Sequence, residues 1–222
     1  MPFAGFYCAT HPGDLGHQGD LSQRRVVSPA DCLAHALAHR VELPSLGCQQ
    51  SPEILRGIVA ELATDTPLPP NTWRVTQVIS CPRKVRLMAT VPYTMTPAQA
   101  YWLYRGTIIH ALINRHREPG EAVFAEERLR ANLGGIVLTG QPDAVFANGH
   151  LVDYKSTEWL PKNGPNEHHV AQLNCYAWFL AQNAHPVQSA DISYITQRQA
   201  LHYHLNFSPP PHTSNLVRQR IK

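Results

Sequence analysis

Long apolar runs are missing from this sequence: nothing approaches the ~18 consecutive apolar residues that a membrane-spanning helix needs, so no span is expected. The first residues, M-P-F-A-G-F-Y-C-A-T-H-P-G-D, lack the basic start and apolar core of a secretory signal. The five cysteines (Cys8, Cys32, Cys48, Cys81, Cys175) are odd in number and far apart, which argues against a disulfide framework and for reduced thiols. Together these absences predict a soluble, cytoplasmic protein with no membrane partner. Internal repeats are absent, and so is any G-x-S-x-G nucleophile elbow, which removes the main argument for a serine hydrolase. Charge is sparse at 16% Asp, Glu, Lys and Arg, but a 43% hydrophobic fraction excludes wholesale disorder.

What is present is 222 residues, enough for one full domain with appendages, carrying a net charge of +3 and thirteen histidines. A mildly basic balance is compatible with a polyanionic partner and does not prove one. Residues 1 to about 27 show no periodicity and are expected to form a loose arm. Ser28-Pro29-Ala30-Asp31 and Ser51-Pro52-Glu53 then mark two helix starts: serine caps the free N–H groups, proline fits the first turn, and the acid suits the dipole. The apolar stripes are Leu33, Leu37 and Val41 on the first helix and Ile54, Ile58 and Leu62 on the second. Pro67-Leu68-Pro69-Pro70-Asn71 is the best boundary, dividing an arm and helical extension (1–70) from the main domain (71–208) and a tail (209–222).

Within the main domain, W-R-V-T-Q-V-I-S-C-P-R-K-V-R-L-M reads as two short helical pieces bent at Pro82. Thr96-Pro97 opens a helix reaching about Arg117. Ala122–Arg130, Ile136–Ala147 and His150–Lys155 read as consecutive strands, His168–Ala181 as a helix, and Ile192–Phe207 as a strand pair or one bent strand. The order predicts an α/β sandwich around a mixed sheet.

The informative stretch is G-Q-P-D-A-V-F-A-N-G-H-L-V-D-Y-K-S, Gly140 to Ser156, where Asp143, Asp153 and Lys155 interrupt an otherwise apolar hairpin. Asn148-Gly149 is a strong turn signal. A two-residue loop would set Asp143 opposite Tyr154, on the face away from Asp153. A three-residue loop, with Gly149 left-handed, would set Asp143 directly opposite Asp153, their β-carbons ~5 Å apart. Two bare carboxylates that close repel each other and resist burial. A hard divalent cation such as Mg²⁺ or Mn²⁺ reverses that sign. Lys155 shares the face of Asp153 and could position a water and offset charge on a phosphate. In the second register the three residues make a metal site; the competing explanation is a wet sheet face with an ordinary Lys–Asp pair.

In order along the chain, S-C-P-R-K (80–84), G-T-I-I-H (106–110), Glu126 or Glu127, G-Q-P-D (140–143), D-Y-K (153–155) and Q-L-N-C-Y (172–176) resemble the PD-(D/E)XK nuclease superfamily, in particular its RecB-type and CRISPR-adaptation branch. The resemblance runs from Trp73 to about Phe207 and implies a restriction-endonuclease-like αβββαβ core, a mixed central sheet flanked by helices, with the N-terminal helices as an extension. It also implies a Mg²⁺- or Mn²⁺-dependent deoxyribonuclease working on DNA that is single-stranded or has free ends, in repair, recombination or mobile-element processing. His110, Asp143, Asp153 and the Tyr154 carbonyl match the metal ligands, and Lys155 matches the catalytic lysine. Gln172 and Tyr176 match a pair that contacts the substrate strand or braces the site; four apart on a helix, they share a face. Of the two glutamates only one can face the site if the segment is a strand, and Glu126 is the choice. Iron–sulfur members of this branch need three cysteines near the domain's end. None follows Cys175, so no cluster is expected.

Arg83 and Lys84, with Arg86, form a basic run suited to a phosphate backbone. Cys8-x-x-His11 and Cys32-x-x-His35 have zinc-like spacing, but the second pair sits on an amphipathic helix, where cysteine is ordinarily a small apolar residue. His168-His169 reads as a surface pair, and Trp159 lies in a loop that could stack a base. The N-terminal region is a candidate contact for a protein partner or a second copy. The alternative to an enzyme is a silent nuclease scaffold that binds nucleic acid or a protein.

Overall fold

The computed structural model describes residues 3–8, 25–38, 51–64 and 68–206, with Thr213, Asn215, Val217 and Gln219 beyond them. In chain order the elements are β1 (Phe3–Cys8), β2 (Arg25–Val27), α1 (Pro29–Ala38), α2 (Pro52–Thr64), β3 (Thr72–Arg74), α3 (Val75–Ile79), α4 (Pro82–Thr90) and β4 (Tyr93–Met95). There follow α5 (Pro97–Arg115), β5 (Leu129–Asn132), β6 (Val137–Gly140), β7 (Ala144–Val145), β8 (His150–Ser156), α6 (Glu167–Gln182), β9 (Ser189–Ile195) and β10 (Ala200–Asn206). Helix starts fall where serine and threonine put them. The Ser28 and Ser51 hydroxyls accept the N–H groups of Asp31 (3.0 Å) and Ile54 (3.2 Å). Thr96 and Gln99 form a reciprocal box at the head of α5, at 3.2 and 2.8 Å.

The chain forms two compact units, one of Met1–Pro67 with Leu87–Thr107 and the other of Leu68–Arg86 with Ile108–Lys222. The first holds a three-stranded sheet in the order β2-β1-β4, with β1 antiparallel to β2 and parallel to β4. Residues 3–8 and 25–27 are therefore strands, not part of a loose arm; 9–24 lie outside the described residues. Cys32 and Ala36, rather than Leu33 and Leu37, are the buried face of α1, beside Phe6, Leu55 and Ile58. Small side chains let that helix approach closely, and Leu37 is left exposed. Val41 and the Cys8-x-x-His11 pair's histidine lie outside the described residues.

The second unit has a mixed α/β architecture of the restriction-endonuclease-like kind. It contains a β3-β6-β5 sheet and a β10-β9-β8-β7 sheet. In the latter β8 and β9 run parallel, while β7/β8 and β9/β10 are antiparallel. The parallel pair needs a crossover, and α6 supplies it. Its inner face, Leu173, Tyr176, Ala177, Phe179 and Leu180, is buried with Val75, Val78, Leu138, Leu151 and Ile192.

Three sequence expectations change here. Trp73 and Arg74 lie in a strand pairing parallel with β6, where helix was expected. The expected strand 122–130 is reduced to β5 and an isolated Phe124–Val145 bridge, because Glu126 adopts φ 54°. The expected strand 136–147 breaks into β6 and β7, which join different sheets; Pro142, lacking an N–H, lies in the break. At the C-terminal end Val217 is buried in this core, so the tail is not free at that residue.

Gly140 ends β6 against α3 and α6. A β-carbon there would come within 2.9 Å of Val75 Cγ2 and 3.0 Å of both Phe179 Cε1 and Tyr176 Cε1. Gly140→Ala is expected to destabilise the protein by ~1–3 kcal/mol through overpacking. Urea titration followed by circular dichroism measures this, and an unchanged midpoint would contradict the packing described.

Candidate active site

The hairpin register decides what can meet. The turn is the three-residue loop 147–149: Phe146 N–H donates to His150 O at 2.9 Å, Gly149 N–H to Phe146 O at 3.0 Å, and Gly149 has φ +76°. Ala144 pairs with Val152 and Val145 with Leu151. One step further along that ladder Asp143 stands opposite Asp153, on the same face. Asp153 is 2% exposed.

Lys155 lies two residues on and shares that face. Its Nζ is 2.5 Å from Asp153 Oδ2. Oδ2 thus has Lys155 as its charge partner, and no second donor reaches it among the described residues. Burial pushes the Asp153 carboxyl up to about 6, with Lys155 opposing and the Asp143 charge adding to the rise.

His110, on α5, closes the group. Its Nε2 donates to the Tyr154 carbonyl at 3.0 Å, while Nδ1 faces Glu126 Oε1 at 3.1 Å and Asp143 Oδ1 at 3.4 Å. The hydrogen bond to Asp143, then that to Glu126, raises its pKa to about 10 against the effect of burial. The imidazole is thus a cation set between two acids. Asp143 Oδ2 accepts the Tyr154 N–H at 2.7 Å, which ties the two strands beyond the end of β7.

Glu126 reaches the cluster by a route that strand alternation does not describe. Its left-handed backbone costs a non-glycine residue roughly 1–2 kcal/mol, and its N–H donates to Pro142 O at 3.2 Å. The kink turns the carboxylate inward, where Gln141 Nε2 donates to Oε2 at 2.9 Å. Glu127 is exposed. Gln141 in turn accepts from Arg128 Nη2 at 3.4 Å, giving a chain Arg128–Gln141–Glu126–His110. Neither Gln141 nor Arg128 is singled out by sequence pattern, although Gln141 lies inside the G-Q-P-D run.

Tyr176 is buried and donates its O–H to Gln141 O at 3.1 Å, and Gln172, one turn earlier on the same face of α6, neighbours the phenol. The Tyr176 phenol thereby holds the bend between β6 and β7. Arg83 and Lys84 are exposed at the start of α4 and pair with no member of the cluster among the described residues. A cleft lined by Arg74, Thr76, Arg128, Gln141 and Tyr176 is the basic feature beside the bend. His169 is half-buried rather than at the surface. Its Nδ1 is 2.8 Å from Tyr194 Oη, and burial, then the Lys155 and His168 charges, hold its pKa down to about 4.

Ligand atoms of His110, Glu126 and Asp143 lie within 4.8 Å of one another. Carboxylates and a carbonyl are hard donors to which one imidazole adds a borderline nitrogen, and the buried Asp153 Oδ2 has Lys155 alone against it among the described residues. A divalent cation fits this group.

The comparisons agree with the geometry. The PD-(D/E)XK nuclease superfamily profile matches residues 33–217. The chain belongs to that superfamily. Among solved structures it is similar to SSO0001, with 25% identity and a TM-score of 0.55 over 75% of this chain and 81% of that one. An alkaline exonuclease from Laribacter hongkongensis aligns at 15% identity and a TM-score of 0.45, over 68% of this chain and 86% of that one. No curated protein matches the sequence.

The raised Asp153 pKa carries a stability sign. A carboxyl that binds its proton more tightly when folded costs nothing below its unfolded value near 3.8, and destabilises the fold as pH rises through about 6. In chelator-treated protein at pH 8, Asp153→Asn should therefore be the more stable form by about 1–3 kcal/mol. The advantage should shrink toward pH 4. Thermal melts of both forms across pH 4–8 test this, and a destabilised variant at pH 8 would contradict the cost assigned to the buried charge.

Proposed function

We propose that this chain is a divalent-metal-dependent deoxyribonuclease. The observation that carries this reading is that ligand atoms of His110, Glu126 and Asp143 lie within 4.8 Å of one another, with the Asp153–Lys155 pair on the same face of the hairpin. Asp143, Asp153, His110 and the Tyr154 carbonyl, with Glu126 at their side, would hold Mg²⁺ or Mn²⁺. The bound ion supplies Lewis acidity and an activated water for phosphodiester hydrolysis.

The protein's own residues do the rest by position and charge. Lys155 presents an ammonium beside Asp153 where negative charge accumulates on a phosphate as the oxygen–phosphorus bond to the leaving strand breaks. His110 must give up a proton before it can serve as a ligand, so metal binding is coupled to proton release. Gln141 fixes Glu126, while Tyr176 and Gln172 hold the bend on which Asp143 sits. Arg74 and Arg128 line a cleft suited to phosphates, with Arg83 and Lys84 as an outer backbone clamp. A preference for single-stranded ends or flaps follows from the resemblance to RecB-type enzymes, as does a role in repair, recombination or mobile-element DNA.

Labelled single-stranded DNA, duplex DNA with blunt or flapped ends, closed circular DNA and RNA, each with Mg²⁺, Mn²⁺ or chelator, form the test. The expected result is metal-dependent cleavage of DNA ends, lost with chelator. Lys155→Ala and Asp153→Ala should each lower the rate by ~10³-fold or more while keeping the circular-dichroism spectrum. Tight DNA binding with no turnover under any condition would instead identify a silent scaffold, and full activity in either variant would overturn the assignment of roles.

A further inference from the structure

The β10-β9-β8-β7 sheet has a second polar cluster, on the face away from Asp153 and Lys155. Side chains alternate along β8, so His150, Val152 and Tyr154 point opposite to Asp153 and Lys155. Cross-strand partners share a face. Val152 pairs with Asp191, and Asp191 pairs with His204, so Asp191 and His204 stand on the His150 side. His150 pairs with Ser189 and is the diagonal neighbour of Asp191.

The side chains converge as that register requires. Asp191 Oδ1 is 2.7 Å from His204 Nδ1, and Oδ2 is 3.3 Å from His150 Nε2. The two rings stack with centroids 5.9 Å apart and planes 20° apart. One ligand atom from each residue lies within 4.8 Å of the others. The remaining nitrogen of His150, Nδ1, is 2.7 Å from Ser189 Oγ, which fixes the ring and directs Nε2 toward Asp191. An oriented imidazole of this kind is what a metal-bound histidine ordinarily has behind it. His202, next on the same face of β10, is held separately, its Nδ1 2.8 Å from Ser193 Oγ.

We infer that His150, Asp191 and His204 form a binding site for a first-row transition-metal ion of the Zn²⁺ class, separate from the acid-rich site on the other face. The donor set is the reason for the class. Two imidazoles and one carboxylate suit Zn²⁺, Co²⁺ or Ni²⁺, whereas Mg²⁺ takes oxygens and keeps its waters. Ligand atoms ~2.0–2.1 Å from a tetrahedral ion lie roughly 3.3 Å from each other. The Asp191–His150 separation already has that value. His204 Nδ1 lies 2.7 Å from the other oxygen, Oδ1, and must shift to meet the same ion; its side chain, 58% exposed, has room to do so. Three protein ligands on a solvent-facing sheet leave the fourth position to water. The ion would tie β8, β9 and β10 together behind the strand that carries Asp153 and Lys155.

The test uses the full chain with any affinity tag removed. Zn²⁺ is titrated by calorimetry in excess Mg²⁺, and Co²⁺ is followed by its visible ligand-field absorption, in four proteins: wild type, His110→Ala, His204→Ala and Asp191→Asn. Wild type and His110→Ala should each bind Zn²⁺ at this site, and His204→Ala should weaken that binding at least ~10-fold with loss of the Co²⁺ band. Zn²⁺ should raise the melting temperature of wild type and not that of His204→Ala. His204 is half exposed, so its removal leaves the fold intact, and it decides the matter even if Asp191→Asn fails to fold. Unchanged binding in His204→Ala, binding lost only in His110→Ala, or no Zn²⁺ binding by wild type would each overturn the inference. Because nuclease turnover is not the readout, failure here leaves the reading of the acid-rich face untouched.

Discussion

Asp143 and Asp153 face each other across the β7–β8 hairpin, one of them almost wholly buried, and like charges so placed oppose folding. The structure answers that repulsion with cations of its own. Lys155 lies against Asp153, and a doubly hydrogen-bonded His110 lies against Asp143 and Glu126. Neither removes the cost, since burial still pushes the Asp153 carboxyl up to about 6. The site is therefore a strained electrostatic arrangement held by its surroundings, and the identity of those surroundings follows: a kinked Glu126, a glutamine that fixes it, and a buried tyrosine under the bend. The superfamily to which the chain belongs, matched over 33–217, is one of hydrolytic nucleases.

Much of the site could be read from the residues because its signals are local. Asn148-Gly149 announces the turn, and the spacing of Asp143, Asp153 and Lys155 around it leaves only two registers, of which the loop with left-handed Gly149 occurs. Helices capped by Ser28, Ser51 and Thr96 begin where those residues stand for the same reason. Glu126 is a more instructive instance. It does face the cluster, but through a left-handed backbone in an irregular segment, and an alternation argument has no means of representing that.

What was illegible depends on pairing between distant segments. β3 looks helical in isolation and is a strand only because β6 offers it a parallel edge. Phe3–Cys8 lacks any periodic signal and is a strand through partners on both sides, β2 and β4. The break between β6 and β7 falls at Gln141–Asp143, within what reads as one strand, because the two halves belong to different sheets. Arg74, Arg128 and the His150–Asp191–His204 group come together by the same non-local registers, so no motif marks them.

The strand that bears Asp153 and Lys155 is interior to its sheet, with β7 on one side and a seven-residue parallel ladder to β9 on the other. Each amide on such a strand is held from one side only, and those that bond to β9 exchange when that seven-residue ladder opens, a costlier event than fraying of a loop. Asp153 and Lys155 are consequently anchored through β9, and on heating the backbone that carries them loosens when that ladder opens.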